Sequence, residues 1–228
     1  MDLEHKLKIV LEKIEVAKKK SSFKQKVELI AATKTRDISQ IKQCYHLGVT
    51  SIGENRVQEA ENKFIDFPGF KLLKKRFIGH LQSNKINKCL DLFDTIDSVD
   101  TFKIANKINN ASQKRSQTTE CLIEINTSGE SQKNGFLPTI SNELISCFSL
   151  QNLKIVGLMT IGPNTLDEKK IKNAFSTLRD LKSKINQELK VNVLKELSMG
   201  MTNDFELGIQ EGSTMVRLGT GLFGSRDY

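Results

Sequence analysis

Residues 214–224 read TMVRLGTGLFG, an alternating run that closes on a glycine-rich turn, and the choice between two α/β folds depends on them. The last six of these residues, GTGLFG, fit the G-x-G-x-x-G pattern of a dinucleotide-binding, doubly wound sheet. That fingerprint needs a βαβ unit around it and an acidic residue about 20 positions further on, and only four residues follow Gly224. A glycine turn that leaves a last strand and opens a short helix is instead what a barrel uses to hold a phosphate. The pattern points to a closed barrel with an anion site beside its final strand.

Upstream, short apolar or β-branched runs recur, each followed by a stretch with helical spacing. The strand candidates are VELIAATK (27–34), TSIGE (50–54), RFIGH (76–80), DTIDSV (94–99), ECLIEIN (120–126), KIVGLMT (154–160), LKELSM (194–199) and TMVRLGT (214–220), eight in all. Helices are expected over 38–47, stopped by Gly48, over 56–64, and over 204–211, stopped by Gly212. Asn203 with Glu206 three residues on reads as a capping-box variant. Leu3, Leu7, Val10, Ile14 and Ala17 fall on one helical face, so residues 1–20 read as an extra helix over one end of the core. Eight successive βα units predict an α/β fold, a single (β/α)8 TIM barrel with an extra N-terminal helix. With no internal repeat, and no linker beyond the loop-sized SQKRSQTT at 112–119, residues 1–228 read as one domain.

Composition agrees with a globular chain. Of 228 residues, 38% are hydrophobic and 27% charged, with 14 Gly and 3 Pro, which excludes collagen, coiled-coil rods, disorder and disulfide miniproteins. The longest wholly apolar runs are strand-sized, like LIAA at 29–32, so no membrane span is expected. MDLEHKLKIV alternates charges with leucines and lacks the features of a secretory signal, so a cytoplasmic protein is expected. Cys44, Cys89, Cys121 and Cys147 are widely spaced, with no CxxC pair and no histidine at zinc-finger distance, so they read as reduced, buried thiols. The net charge of +8 comes from lysines scattered along the chain, not gathered into the stripe a nucleic-acid binder needs.

In a barrel, ligand chemistry collects where strands end. Strand one delivers Lys34, on the face of Ile30 and Ala32, with small Ala32 leaving room beneath it. Desolvation there lowers an amine's pKa and makes it a nucleophile toward aldehydes, although a lysine snorkelling to water fits the same position. Strand eight points Arg217 inward, toward either a carboxylate such as Glu196 or a ligand acceptor. Ser198 and Gly200 of strand seven, with the Gly219 and Thr220 amides, sketch a phosphate cradle, and Ser198 also fits ordinary turn chemistry. Asn55 is a helix N-cap or a ligand contact. His80, ending FIGH, reads as a satisfied surface residue rather than an acid–base group, and His5 and His46 fall on helices away from any metal set, so no metal site is expected.

A lysine ending strand one, an arginine in strand eight and a phosphate turn beside it form a known constellation. The sequence resembles the pyridoxal 5'-phosphate homeostasis proteins, which share the barrel of alanine racemase. The resemblance runs through AATKT (31–35), GENRVQEA (53–60), FIGHLQSNK (77–85), NTSGESQKNGF (126–136), VGLMTIG (156–162) and LSMGMTNDFELGIQEGSTMVRLGTGLFGSR (197–226). Carried over by position, it implies pyridoxal 5'-phosphate (PLP) held as a Schiff base on Lys34, with its phosphate on Ser198, Gly219 and Thr220. It further implies the pyridine nitrogen facing Arg217 and a pocket lined by Asn55 and Met159. Thr202 and Asn203 stand where the family often has Ser and Asp.

An arginine at the pyridine nitrogen only donates, which weakens the ring as an electron sink. A racemase on this barrel also needs a second base, which racemases of this kind take as a tyrosine from a separate β domain; the two tyrosines here, Tyr45 and Tyr228, end no strand. The resemblance implies a PLP binder that buffers the cofactor or hands it to PLP-dependent apoenzymes, and the arginine and missing base add the expectation of no robust catalysis; the alternative is a PLP-dependent amino acid racemase. No obvious exposed apolar stripe argues for a dimer, so a monomer is expected.

Overall fold

The computed structural model describes residues 2–65 and 72–224. Eight parallel strands close into a barrel in chain order: β1 (Glu28–Ala32), β2 (Ser51–Glu54), β3 (Lys74–Phe77), β4 (Thr95–Val99), β5 (Thr119–Glu124), β6 (Leu153–Met159), β7 (Glu196–Met201) and β8 (Met215–Leu218). The last strand seals the barrel against the first, with Leu29 opposite Val216 and Ile30 opposite Arg217. Between strands run α2 (Ile38–His46), α3 (Val57–Phe64), α4 (Ile86–Leu92), α5 (Phe102–Lys114), α6 (Asn142–Ser146), α7 (Glu168–Glu188) and α8 (Phe205–Gln210). Helix α1 (Leu3–Lys20) precedes β1, and a single turn, α9 (Thr220–Phe223), follows β8.

Alternation along each strand sorts the core into two layers. On β1, Ile30 joins Leu122, Met159 and Met215 inside the barrel, while its neighbour Ala31 packs outward with Ile52, Val216 and Leu218 against the helices. Each fully buried Ile or Leu contributes about 1.5–3 kcal/mol, and most of that burial lies between barrel and helices. Helix α1 adds Leu3, Leu7, Val10, Ile14 and Ala17 to the cluster holding Phe205, Ile209, Leu222 and Phe223, so it lies over α8 and α9. The rest of the interior is polar. Arg76, buried near the N-terminal end, lies 3.2 Å from Asp97 and 3.0 Å from Glu28, a paired arrangement that keeps buried charge tolerable.

Several local expectations need correction. The strands stop short of the residues expected to end them: Lys34 and His80 lie in the loops that follow, and Thr220 opens α9. Half of the 112–119 segment is regular, ending α5 and opening β5, with the loop confined to 115–118. The Asn203–Glu206 capping box does not form. Asp204 is the cap residue of α8, and its Oδ1 instead accepts the Met201 N–H at 2.6 Å, folding the turn back onto β7. Gly200 serves the same corner: at φ +99°, its missing Cβ would stand 2.8 Å from Phe205 Cα, so it lets α8 close on β7 rather than a ligand approach. None of the helices of the described residues is long and apolar enough to cross a membrane.

Candidate functional site at the C-terminal mouth of the barrel

A cavity of about 1090 Å³ opens at the strand ends and is lined by six of the seven expected residues: Lys34, Asn55, Met159, Arg217, Gly219 and Thr220. The seventh, Ser198, is fully buried and does not line it.

Ser198 lies beneath the cavity and holds Arg217. The arginine is 5% exposed; its Nη1 donates to the Ser198 carbonyl at 2.9 Å and to Ser198 Oγ at 2.6 Å, and its Nη2 donates to the Thr160 carbonyl at 2.8 Å. Three of the five guanidinium N–H groups are thus committed to the barrel wall. Glu196 does not pair with it, accepting instead from the Thr214 hydroxyl at 2.6 Å. Burial pulls the Arg217 pKa below its ordinary value, and the charges of Glu124, Asp97 and Asp204 oppose that pull.

The phosphate side is built from two loops. The Gly221 N–H and the Thr220 hydroxyl both donate to Thr202 Oγ1, at 3.1 and 3.3 Å, tying the loop after β8 to the loop after β7. Thr202 and Asn203 line the cavity where Ser198 was expected. Among the described residues, the backbone N–H groups of Asn203 and Thr220 make no hydrogen bond, so both remain as donors. Gly219 stands over β1, where a Cβ would sit 3.6 Å from the Ala32 carbonyl, in ordinary contact.

Asn55 does not cap α3, whose N-cap is Arg56 without a side-chain bond. Its Oδ1 is buried and has no partner among the described residues, a state that favours a ligand-borne donor. Gly79 fixes its backbone, because a Cβ there would run into the Asn55 carbonyl and Cα.

Sequence reasoning missed three groups. Lys133 lines the cavity and donates to Glu130 Oε1 and the Gly162 carbonyl, both at 2.7 Å. Glu124 ends β5 facing inward and is 6% exposed; burial and the neighbouring Asp100 push its carboxyl up to about 7, against the pull of Arg217 and His80. Asp100 is buried and lies 2.7 Å from His80 Nδ1, so His80 is held by a carboxylate while its ring stays half exposed. The signal for Glu124 was an acid at an inward position of an apolar strand. All four cysteines are buried; burial pushes Cys44 and Cys147 up to about 12 and Cys89 and Cys121 up as well, leaving inert thiols. No His, Cys, Asp and Glu cluster able to hold a metal occurs among the described residues. Tyr228, Ser225 and Arg226 lie outside them.

Comparison with known proteins agrees with this fold. The family model for the alanine racemase N-terminal domain matches residues 7–227. The pyridoxal phosphate homeostasis protein of Haemophilus influenzae is 38% identical over 231 residues, covering 100% of this chain and 98% of the relative. The protein of the same name from Aquifex aeolicus is 37% identical over 225 residues, covering 98% of each. Among solved structures, PipY of Synechococcus elongatus PCC7942 with PLP bound superposes with a TM-score of 0.84 at 29% identity, covering 98% of this chain and 100% of that one. The chain belongs to the pyridoxal phosphate homeostasis protein family, built on the alanine racemase N-terminal domain.

Proposed function

We propose that this chain binds PLP through Lys34 and serves its homeostasis, holding and releasing the cofactor without amino acid turnover. The observation that carries the reading is Arg217, fixed by Ser198 and Thr160 on the wall of the same cavity that takes Lys34 and the Gly219–Thr220 turn. The relatives' names and the PLP in the PipY structure support it.

The residues present fit the group. Condensation of the Lys34 amine with the cofactor's aldehyde forms a C=N bond at Nζ and releases the carbonyl oxygen as water. The open amides of Asn203 and Thr220, with the Thr202 hydroxyl, supply donors for a phosphate. Arg217 retains uncommitted N–H groups for a ring nitrogen, and Asn55 Oδ1 offers an acceptor. Met159, 1% exposed, gives an apolar floor. Because arginine does not release its proton, Arg217 holds a facing nitrogen as an acceptor, which disfavours the electron withdrawal that racemisation requires. The described tyrosine, Tyr45, lies on α2 and does not line the cavity, so no observation favours the racemase reading.

Release is equally well served. Leu166 at the cavity rim is 95% exposed, and the cavity is ample for a drug-sized ligand. PLP-dependent apoenzymes are the recipients in this reading, and free, buried thiols suit the reducing cytoplasm. The test is the visible spectrum of purified protein titrated with PLP, followed by borohydride reduction, peptide mass spectrometry and assays with alanine and serine. A new visible band, an adduct confined to Lys34 and no racemisation are expected. An adduct spread over surface lysines, or steady turnover, overturns the reading.

A further inference from the structure

Lys34 is followed by a non-glycine residue in the left-handed region, Thr35 at φ +61°, a conformation that the surrounding structure has to hold in place. One holding bond is a turn, in which the Arg36 N–H donates to the Thr33 carbonyl at 3.0 Å; the side chains that hold it come from α3. The Thr35 N–H donates to Glu59 Oε1. On the other side of Lys34, the Thr33 carbonyl accepts from Lys63 Nζ at 2.7 Å. Lys63 also donates to Glu59 Oε1 at 2.7 Å and to Glu54 Oε1 at 2.9 Å, which commits all three of its ammonium protons. Glu54 is fully buried and takes the Thr33 hydroxyl at 2.7 Å as well.

The two peptide groups flanking the Lys34 Cα are therefore bonded to one ion pair, and together they fix the two torsions that aim its side chain. Lys63 is only 11% exposed, so the pair is shielded from the screening that weakens surface ion pairs. An i,i+4 pair serving the helix alone would leave the loop carbonyl and amide to other partners.

We propose that Glu59 and Lys63 are positioning residues for Lys34, setting where its amine stands in the cavity and hence how firmly PLP is held. The inference rests on Lys34 being the cofactor lysine.

Full-length Glu59→Ala, Glu59→Gln, Lys63→Met and Lys63→Arg are compared with wild type. The readouts are PLP dissociation constant, pH midpoint of the visible band, thermal melting, and amide hydrogen exchange of residues 33–36 without PLP. Glu59→Ala is expected to bind PLP about tenfold more weakly, the scale of one lost charge-assisted hydrogen bond. It should also move the pH midpoint and expose the Thr35 amide to exchange, with melting near wild type. Glu59→Gln keeps an acceptor and should stay within about threefold of wild type. Lys63→Met leaves Glu54 buried and unpaired and is expected to melt lower, so the Glu59 pair decides the question, with Lys63→Arg expected to restore melting. A folded Glu59→Ala with wild-type affinity and pH midpoint overturns the positioning role while leaving Lys34 as the cofactor lysine. A wild-type protein that forms no band overturns both.

Discussion

Glu124→Gln should stabilise the protein at alkaline pH and leave it unchanged in acid. The carboxyl ends β5 inside the barrel, 6% exposed, facing Asp100, Arg217 and His80. Burial first, then Asp100, raises its pKa from the ordinary 4.5 to about 7. A carboxyl whose pKa is higher in the folded state keeps its proton there while the unfolded chain has already lost it. Stability therefore falls as pH rises from 4.5 to 7 and levels off above. That gap, at about 1.4 kcal/mol per pH unit, comes to about 3 kcal/mol. A glutamine of the same shape never ionises and escapes this penalty. Urea denaturation of both proteins at intervals from pH 4.5 to 8.5 should show the variant's advantage growing to about 3 kcal/mol and then flattening, with m-values unchanged. An advantage that stays constant with pH, or a variant less stable than wild type at pH 8, refutes the argument that Glu124 is held protonated by its surroundings.

Other substitutions probe the same wall. Arg217→Met strips the donor from the Ser198 and Thr160 oxygens and removes the nearby charge that favours ionised Glu124 and Asp204; a loss of about 1–3 kcal/mol in urea denaturation is expected, and a gain in stability counts against a buried cation held by these hydrogen bonds. Gly79→Ala drives a Cβ into the Asn55 backbone and should cost at least about 1–3 kcal/mol, read by thermal melting, with weaker PLP binding in any fraction that folds. Lys34→Ala should abolish the borohydride-trapped adduct while changing melting little, since Lys34 is only part-buried; an adduct that persists at wild-type level places the reactive amine elsewhere.

The barrel was legible because its evidence is periodic. Ile30 and Ala31 point to opposite faces by simple counting, and eight such runs separated by helical spacing leave few topologies. Capping was less so: Asn203 and Asp204 are both good cap residues, and only the fold back to the Met201 amide shows which one closes the turn. Lys34, Arg217 and the glycine turn, which the structure brings to one cavity, were legible because each lies at or just beyond the C-terminal end of a strand. Ser198 was misplaced for a specific reason. Between β7 and β8 the register slips, with Ser198 opposite Met215 but Met201 opposite Arg217, so β7 carries one residue more than its partner over that span. Such a bulge re-aims the residues beyond it, and here it brings Thr202 and Asn203 to the mouth while Ser198, just before it, stays beneath Arg217. No count along a single strand reveals a bulge, because it is a property of two strands paired. The Glu59–Lys63 spacing was equally opaque, since an i,i+4 pair on a helix reads as ordinary surface chemistry until the loop beside it is seen.

The polar interior joins these residues to the proposed function. A barrel filled wholly by aliphatic layers would have no use for a guanidinium, and one with a free carboxylate at the same height would leave Arg217 matched within the protein. Here Arg217 is bonded to neutral oxygens of Ser198 and Thr160, while Glu124, Asp97 and Asp204 act on it through space. The cation is therefore kept charged by neighbours without having its remaining N–H groups covered by a carboxylate in contact. Ionisation of Glu124 above about pH 7 strengthens that hold, because a carboxylate nearby favours the protonated guanidinium still further. Across the physiological range the wall thus presents a donor that does not exchange its proton. That property supports a site built to hold a ring nitrogen as an acceptor and to release the cofactor unchanged, since proton transfer at that nitrogen is what would turn binding into carbanion chemistry.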